Sequence, residues 1–456
     1  MRFLIVNNHC ITNPTAGVAH SLRTIAMWLA EAGHSCHIVT TARFEGEVPF
    51  TIEQHLSAIG VRVGRRAGRS DAAAPIVRYR VGDVPTTLLM TRHNDQNAPD
   101  EQESEQYLAL VDELLESMRP DQMIACGGHI MVRASMLRAQ QGGVTTAYAV
   151  RGYGYDDRRV FEGVDHAFTC SDFLTEFYRT RVGLLSTPLE PPIDWSNTVS
   201  SSEARAFVTF VNPGWHKGLA LFARLADMLG SRRPDIPILV VQSAHSAGML
   251  HATGIDLTRY PHIKAAPPVL SPADYFALTR VLLVPSVWDE PFGRVAAEAM
   301  INGIPPLVSD RGALPHVVGG DVSRGGGGYV LPVPSWLNAA TTTPPGEVEI
   351  EPWFRAVCEL WDNPGRYQAV ANRARAIAAD RYSEAVSRKR HVDYFTSLRP
   401  GAPLFTDSAD APAAPRCSPL APEESSPRSE SRRSGPALRR GRTRRAAPSS
   451  RRTVHR

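Results

Sequence analysis

The chain has 456 residues, 43% hydrophobic and 21% charged. That composition excludes a disordered or fibrous protein and leaves room for two ordinary domains and a tail. The formal charge of +4 is uneven: residues 401–456 hold 12 Arg against 5 Asp or Glu, which leaves the first 400 residues at −3. A mildly acidic body does not suggest a nucleic-acid groove, and no nucleic-acid partner is expected.

The start, MRFLIVNNHC, is a short apolar run, more like a first β-strand than a secretory leader, and no membrane span is visible. FLIV at 3–6 reads as a buried strand. Val18, Leu22, Ile25, Ala26 and Leu29 recur at helical spacing, and Gly33 ends that helix before the strand CHIVT. The alternation continues. YLALVDELLESM puts Leu108, Val111, Leu115 and Met118 on one helix face, and QMIAC, TTAYAV and HAFTC follow as strands. Ser171 suits the N-cap of DFLTEFYRTRV, with Gly183 beyond its end. The Pro- and Ser-rich stretch TPLEPPIDWSNTVSSSEA reads as an interdomain linker.

A second α/β series runs through AFVTFV, PILVVQ, RVLLVPS and PPLVS, and two closing helices are expected near 350–380 and 384–398. SRGGGGYVL has no Lys and no following helix signal, so it reads as a flexible loop. Beyond Pro400 the Pro/Ser/Ala/Arg mixture should be disordered, although its arginines leave open a peripheral contact with anionic lipid. The six Cys are scattered without a CxxC, which fits a reducing cytoplasm rather than a disulfide or zinc framework.

Two strand-to-helix turns carry the chemistry. In PSVWDEPFGRVAAEAMINGIP a strand ends before Trp288–Gly293 and a helix follows, closed by Gly303 and Pro305. In open α/β sheets ligands bind at such C-terminal strand edges, and the free N–H groups of a helix start suit a phosphate. Gly293 lets an anion approach the backbone. Glu298, one turn into the helix among small apolar residues, needs a hydroxyl or another partner if buried. Glu290 lies before the helix at the same opening. Equally, acids there favour the helix dipole, and Arg294 with Glu298 is an ordinary i,i+4 pair.

The second turn, in FVNPGWHKGLALFARLA, carries Lys217, one of three Lys in a chain with 47 Arg. It is either a diphosphate contact or a solvated surface lysine. Gly17 in NPTAGVAHSL lines a ligand cleft or serves a turn. His129 in ACGGHIMV follows a strand and could be an acid, a base or a structural residue. Asp156-Asp157 has no further ligand cluster nearby, so no metal site is expected.

These residues resemble a known family. EPFGRVAAE matches the E-x-F-G-x-x-x-x-E signature of the retaining glycosyltransferases of family 4. VLLVPSVWDE, AMINGIPPLVSDRGALPHVVG, VNPGWHKG, the Gly17-Val18 loop and TCSDFLTEFYRTRVG are similar to that family too, covering most of 1–398 and strongest over 205–320.

The resemblance implies a GT-B architecture: an N-terminal Rossmann-like acceptor domain over 1–190, a linker over 191–204, and a C-terminal nucleotide-sugar domain over 205–380. A helix at 381–398 would cross back to the first domain, ahead of a tail over 399–456. It implies a nucleoside-diphosphate sugar as co-substrate, no cofactor, and an acceptor that could be saccharide, lipid or small molecule. Glu290 would contact donor sugar hydroxyls beside Phe292. Glu298 would hold the ribose, the backbone of Gly293, Arg294 and Val295 would meet the diphosphate, Lys217 would neutralise it, and His129 falls near an acceptor-side histidine. Three positions depart from the family pattern: Asn212 stands where an Arg is common, Ala16 precedes Gly17, and His316 follows Leu314-Pro315. A sugar-nucleotide epimerase and a non-catalytic nucleotide-sugar binding protein are the alternatives.

Overall fold

Fourteen short strands pair into two sheets in the computed structural model, which describes residues 1–13, 16–44, 50–61, 74–92, 99–201, 205–269, 271–401 and 403–406. The first sheet comprises β1 (Arg2–Asn7), β2 (Ser35–Thr41), β3 (Ile76–Val81), β4 (Val84–Leu89), β5 (Gln122–Cys126), β6 (Thr145–Val150), β7 (His166–Thr169) and β8 (Ser186–Pro188). Their order is β3-β4-β2-β1-β5-β6-β7-β8, with every pair parallel except the β3–β4 hairpin at the edge. The second sheet comprises β9 (Phe207–Val211), β10 (Ile238–Val241), β11 (Ile263–Ala266), β12 (Thr279–Val284), β13 (Pro306–Ser309) and β14 (Tyr329–Leu331). It is parallel throughout, in the order β11-β10-β9-β12-β13-β14.

Parallel strands covered by helices on both faces must be apolar on both, and every residue of β5, β6 and β10 is buried. Within the parallel part of each sheet the chain order reverses at β1/β5 and at β9/β12. Loops leaving the C-terminal ends of strands at such a reversal diverge and open a crevice. The loop after β9 carries Lys217 and the loop after β12 carries Glu290, so sheet topology alone puts these two together.

The expected caps form. Ser171 Oγ accepts from the Leu174 N–H, 3.1 Å away, and Gly183 ends the helix Asp172–Val182 in the left-handed region. The closing region is three helices rather than two: Glu347–Asp362, Pro364–Tyr382 and Glu384–Ser397. Pro364 cannot continue the preceding helix, and Asn363 caps the next one through the Arg366 N–H. SRGGGGYVL is not a loop throughout: Val322–Arg324 form a 3₁₀ turn and Tyr329–Leu331 is the edge strand β14. The tail past residue 406 lies outside the described residues. Among those described, no helix is long and apolar enough to cross a membrane.

The last helix packs on the first sheet's own layer. Phe395 and Leu398 share one core cluster with Phe3, Ile5, Leu22 and Phe168, and Gln122 Nε2 donates to the Phe395 carbonyl at 2.6 Å. Glu190, in the segment joining the sheets, accepts from Arg381 and from Arg390, the latter at 2.8 Å.

Candidate functional site

Lys217 and Glu290 are ion-paired, Nζ to Oε1 at 2.8 Å, with the carboxylate side chain 7% exposed and the lysine 26%. The backbone compels the meeting. Gly218 starts the helix Leu219–Arg232 at φ +89, where a Cβ would sit 1.9 Å from the Pro285 carbonyl oxygen. Only glycine permits that approach, and it brings the β9 turn against the end of β12. Gly293 opens the facing helix, Arg294–Ile301, also in the left-handed region, with Leu314 packed where a side chain would go.

Ser286 Oγ donates to the same Oε1 at 2.6 Å, and the Lys217 ammonium lies 5.1 Å over the Trp288 ring. Burial alone would push the Glu290 carboxyl up. The Lys217 charge, its hydrogen bond and that of Ser286 outweigh this and hold it below the ordinary carboxylate range. His216 packs edge-on against Trp288 and near His245. Burial, together with the adjacent Lys217 charge, lowers His216 to about 4, so its ring is neutral at pH 7. Asn212, at the departing position, adopts φ +59 and accepts from the His245 backbone N–H at 3.0 Å.

Glu298 and Gly17 belong to a second part of the crevice. They line a cavity of about 130 Å³ with His20, Asp194, Asn197 and Arg294, and neither Lys217 nor Glu290 lines it. Burial pushes Glu298 up to about 7, against the opposing pull of Arg294. The expected i,i+4 pairing of Arg294 with Glu298 does not form as an ion pair. Arg294 instead reaches across, with Nη2 donating to the Pro192 carbonyl at 2.6 Å and to Ser21 Oγ at 3.3 Å. Its guanidinium ties the second sheet's helix to the segment between the sheets and to the first helix, Gly17–Glu31. Part of the expected linker, through Asp194, Asn197 and Thr198, therefore lines the crevice.

His129 stands in neither group. It caps the helix Ile130–Gln141, its Nδ1 accepting from the Met131 N–H at 3.3 Å, and burial with nearby Arg43 lowers its pKa. Phe292 is 5% exposed and packs edge-on to Tyr382, so it anchors the loop from below. Val295 is half-buried against the core. His316 pairs with Asp172 of the first half at 3.3 Å. Asp156 and Asp157 are taken up by Arg181 and Arg159. Ser286, Trp288 and His216 complete the Lys217–Glu290 cradle and were not singled out in the sequence. Ser286 could have been, since it lies one strand-end turn before Glu290.

Two α/β sheets, the second wholly parallel and the first parallel but for its edge hairpin, match the GT-B fold of the solved structures below. Residues 262–341 match the family model for Glycosyl transferases group 1. Similar solved structures include a glycosyltransferase from Rickettsia africae ESF-5, at TM-score 0.60 and 11% identity over 87% of this chain and 97% of that one. The sucrose-phosphate synthase of Thermosynechococcus elongatus aligns at TM-score 0.61 and 14% identity, over 87% of this chain and 98% of that one. Anabaena HepE, solved in complex with UDP and glucose, aligns at TM-score 0.58 and 15% identity, over 87% and 100%. No curated protein matches the chain.

Proposed function

We propose that the protein is a glycosyltransferase of family 4 type, moving a sugar from a nucleoside-diphosphate sugar to an acceptor with retention of configuration and without need of a metal. The observation that carries this reading is the Lys217–Glu290 pair at 2.8 Å, placed where two glycine-led helix starts face each other. A departing diphosphate develops charge that needs fixed positive partners. Lys217 and the free N–H groups of Gly293, Arg294 and Val295 supply them. Glu290 accepts from the sugar's hydroxyls and orients the ring as the anomeric C–O bond to phosphate breaks. Approach of the acceptor hydroxyl on the same face puts its proton beside the leaving diphosphate oxygen. Glu298, whose carboxyl burial raises to about 7, suits a ribose diol, and HepE, which shares the fold, was crystallised with UDP and with UDP-glucose.

A thermal-shift screen of nucleoside diphosphates, followed by donor turnover with candidate acceptors, tests the reading. A shift of several degrees for one nucleoside diphosphate, abolished in Lys217→Ala, is expected. Binding without release of nucleoside diphosphate under any acceptor would indicate a binding protein, and isomerised donor without acceptor an epimerase.

A further inference from the structure

The segment that bears Glu290 is held from the other half of the molecule. Tyr153, in the loop after β6, donates its hydroxyl to the Asp289 carbonyl at 2.7 Å. Ser171, at the end of β7, donates Oγ to the Pro291 carbonyl at 2.5 Å, and Cys170 Sγ approaches the same oxygen at 3.3 Å. The two carbonyls flanking Glu290 are thus both gripped by the first half. The Tyr153 ring also packs edge-on to Trp288, centroids 5.9 Å apart, the indole over which Lys217 lies. The second half holds the same segment from its own side: Ala313 N–H donates to the Glu290 carbonyl at 2.9 Å and Gly312 N–H to Asp289 Oδ1 at 3.0 Å.

We propose that Tyr153 and Ser171 are positioning residues that fix the Glu290 segment from the first half, so that the transfer site is held in register by both halves. This rests on the reading of Glu290 given above. Neither hydroxyl touches the carboxylate; both act through the peptide groups on either side of it. Without the two hydroxyls, Lys217, Ser286 and the Gly312–Ala313 backbone still hold the segment from one side, while the Asp289 and Pro291 carbonyls lose partners on the other. A positioning error of an ångström can cost about a hundredfold in rate.

The test uses the full chain and separates the tether from the helix cap. Ser171→Asp keeps a good N-cap for Asp172–Val182 but presents no hydroxyl donor to Pro291. Ser171→Thr keeps both, and Tyr153→Phe keeps the ring and removes only the hydroxyl. Turnover with the donor found by the screen should fall about tenfold to a hundredfold in Ser171→Asp and Tyr153→Phe. Nucleoside diphosphate affinity should stay within about threefold, and Ser171→Thr should recover most of the rate. Hydrogen exchange over 285–293, measured without any ligand, should quicken in the first two variants and not in the third. Unchanged exchange there overturns the clamp whatever the substrate proves to be. Wild-type turnover in Tyr153→Phe and Ser171→Asp overturns it equally. A wild-type chain that binds no nucleoside diphosphate but shows the exchange difference overturns the transfer reading and leaves the tether standing.

Discussion

Lys217 Nζ lies 2.8 Å from Glu290 Oε1, and the carboxylate that receives it is almost wholly buried. Each charge is the other's principal compensation, so a substrate that recruits the ammonium must offer its own negative charge in exchange. Removal of one partner should cost more than the pair is worth, because a buried charge is left behind. We expect Lys217→Ala to lower stability by about 2 kcal/mol, a value reduced for the lysine's partial exposure, and turnover by at least about a hundredfold. Lys217→Ala combined with Glu290→Gln should regain part of that stability and none of the activity. Urea unfolding and donor turnover on the same preparations distinguish the two effects.

Glu298 makes a prediction about pH. Burial raises its carboxyl from 4.5 to about 7. The folded state therefore binds a proton more tightly than the unfolded chain does. That contribution is complete below pH 4.5 and is lost as pH rises through 7, amounting to about 3 kcal/mol across the window. Other groups titrate in this range, so the informative quantity is the difference between wild type and Glu298→Gln, whose amide copies the neutral form. The variant should gain relative stability from about pH 4.5 upward and level off above about pH 7. A flat difference curve would count against the buried neutral carboxyl. If a ribose hydroxyl donates to Glu298, ligand binding at about pH 6.5 should release protons, seen by calorimetry in two buffers.

Gly218 allows the two strand-end turns to meet, and an alanine there would collide with a carbonyl that has no side-chain freedom. Gly218→Ala also carries the strain of φ +89. We expect a loss of more than about 3 kcal/mol together with loss of nucleoside diphosphate binding, read by thermal melts with and without ligand.

Arg294 spans to Pro192 and Ser21 rather than pairing on its own helix. Arg294→Lys keeps the charge but cannot serve both acceptors with one ammonium. A stability loss of about 1–2 kcal/mol is expected, with a raised donor KM and a larger radius of gyration in solution scattering. Unchanged scattering and KM would show that the tie does not hold the halves together.

The regular parts of this fold were plain in the sequence because they rest on local rules. Apolar runs marked most of the parallel strands but not β4, β8, β11 or the edge strand β14, and Ser171 and Gly183 marked a helix at both ends. The β3–β4 hairpin was not legible: Ile76–Val81 is a polar edge strand with half its side chains in water, and no apolar run announces it. The break at Asn363-Pro364 carried a clear signal that helical composition on both sides masked. At the site, Lys217 and Glu290 were findable because each follows a strand end and precedes a glycine-led helix start, Lys217 directly before Gly218 and Glu290 three residues before Gly293. Tyr153, Ser171 and the reach of Arg294 were not. Their partners are backbone carbonyls more than a hundred residues away in sequence, and carbonyls leave no trace in residue identity.

The last helix has a consequence for synthesis. Phe395 and Leu398 close the core cluster that contains Phe3, Leu22 and Phe168, so the first sheet's apolar layer is incomplete until the end of the chain has been made. At about 5–20 residues per second, a ribosome that has finished β8 needs roughly 10–40 s more to deliver that helix. Through this interval the nascent first half carries an uncovered greasy face, which makes it a chaperone client and unsuited to expression alone.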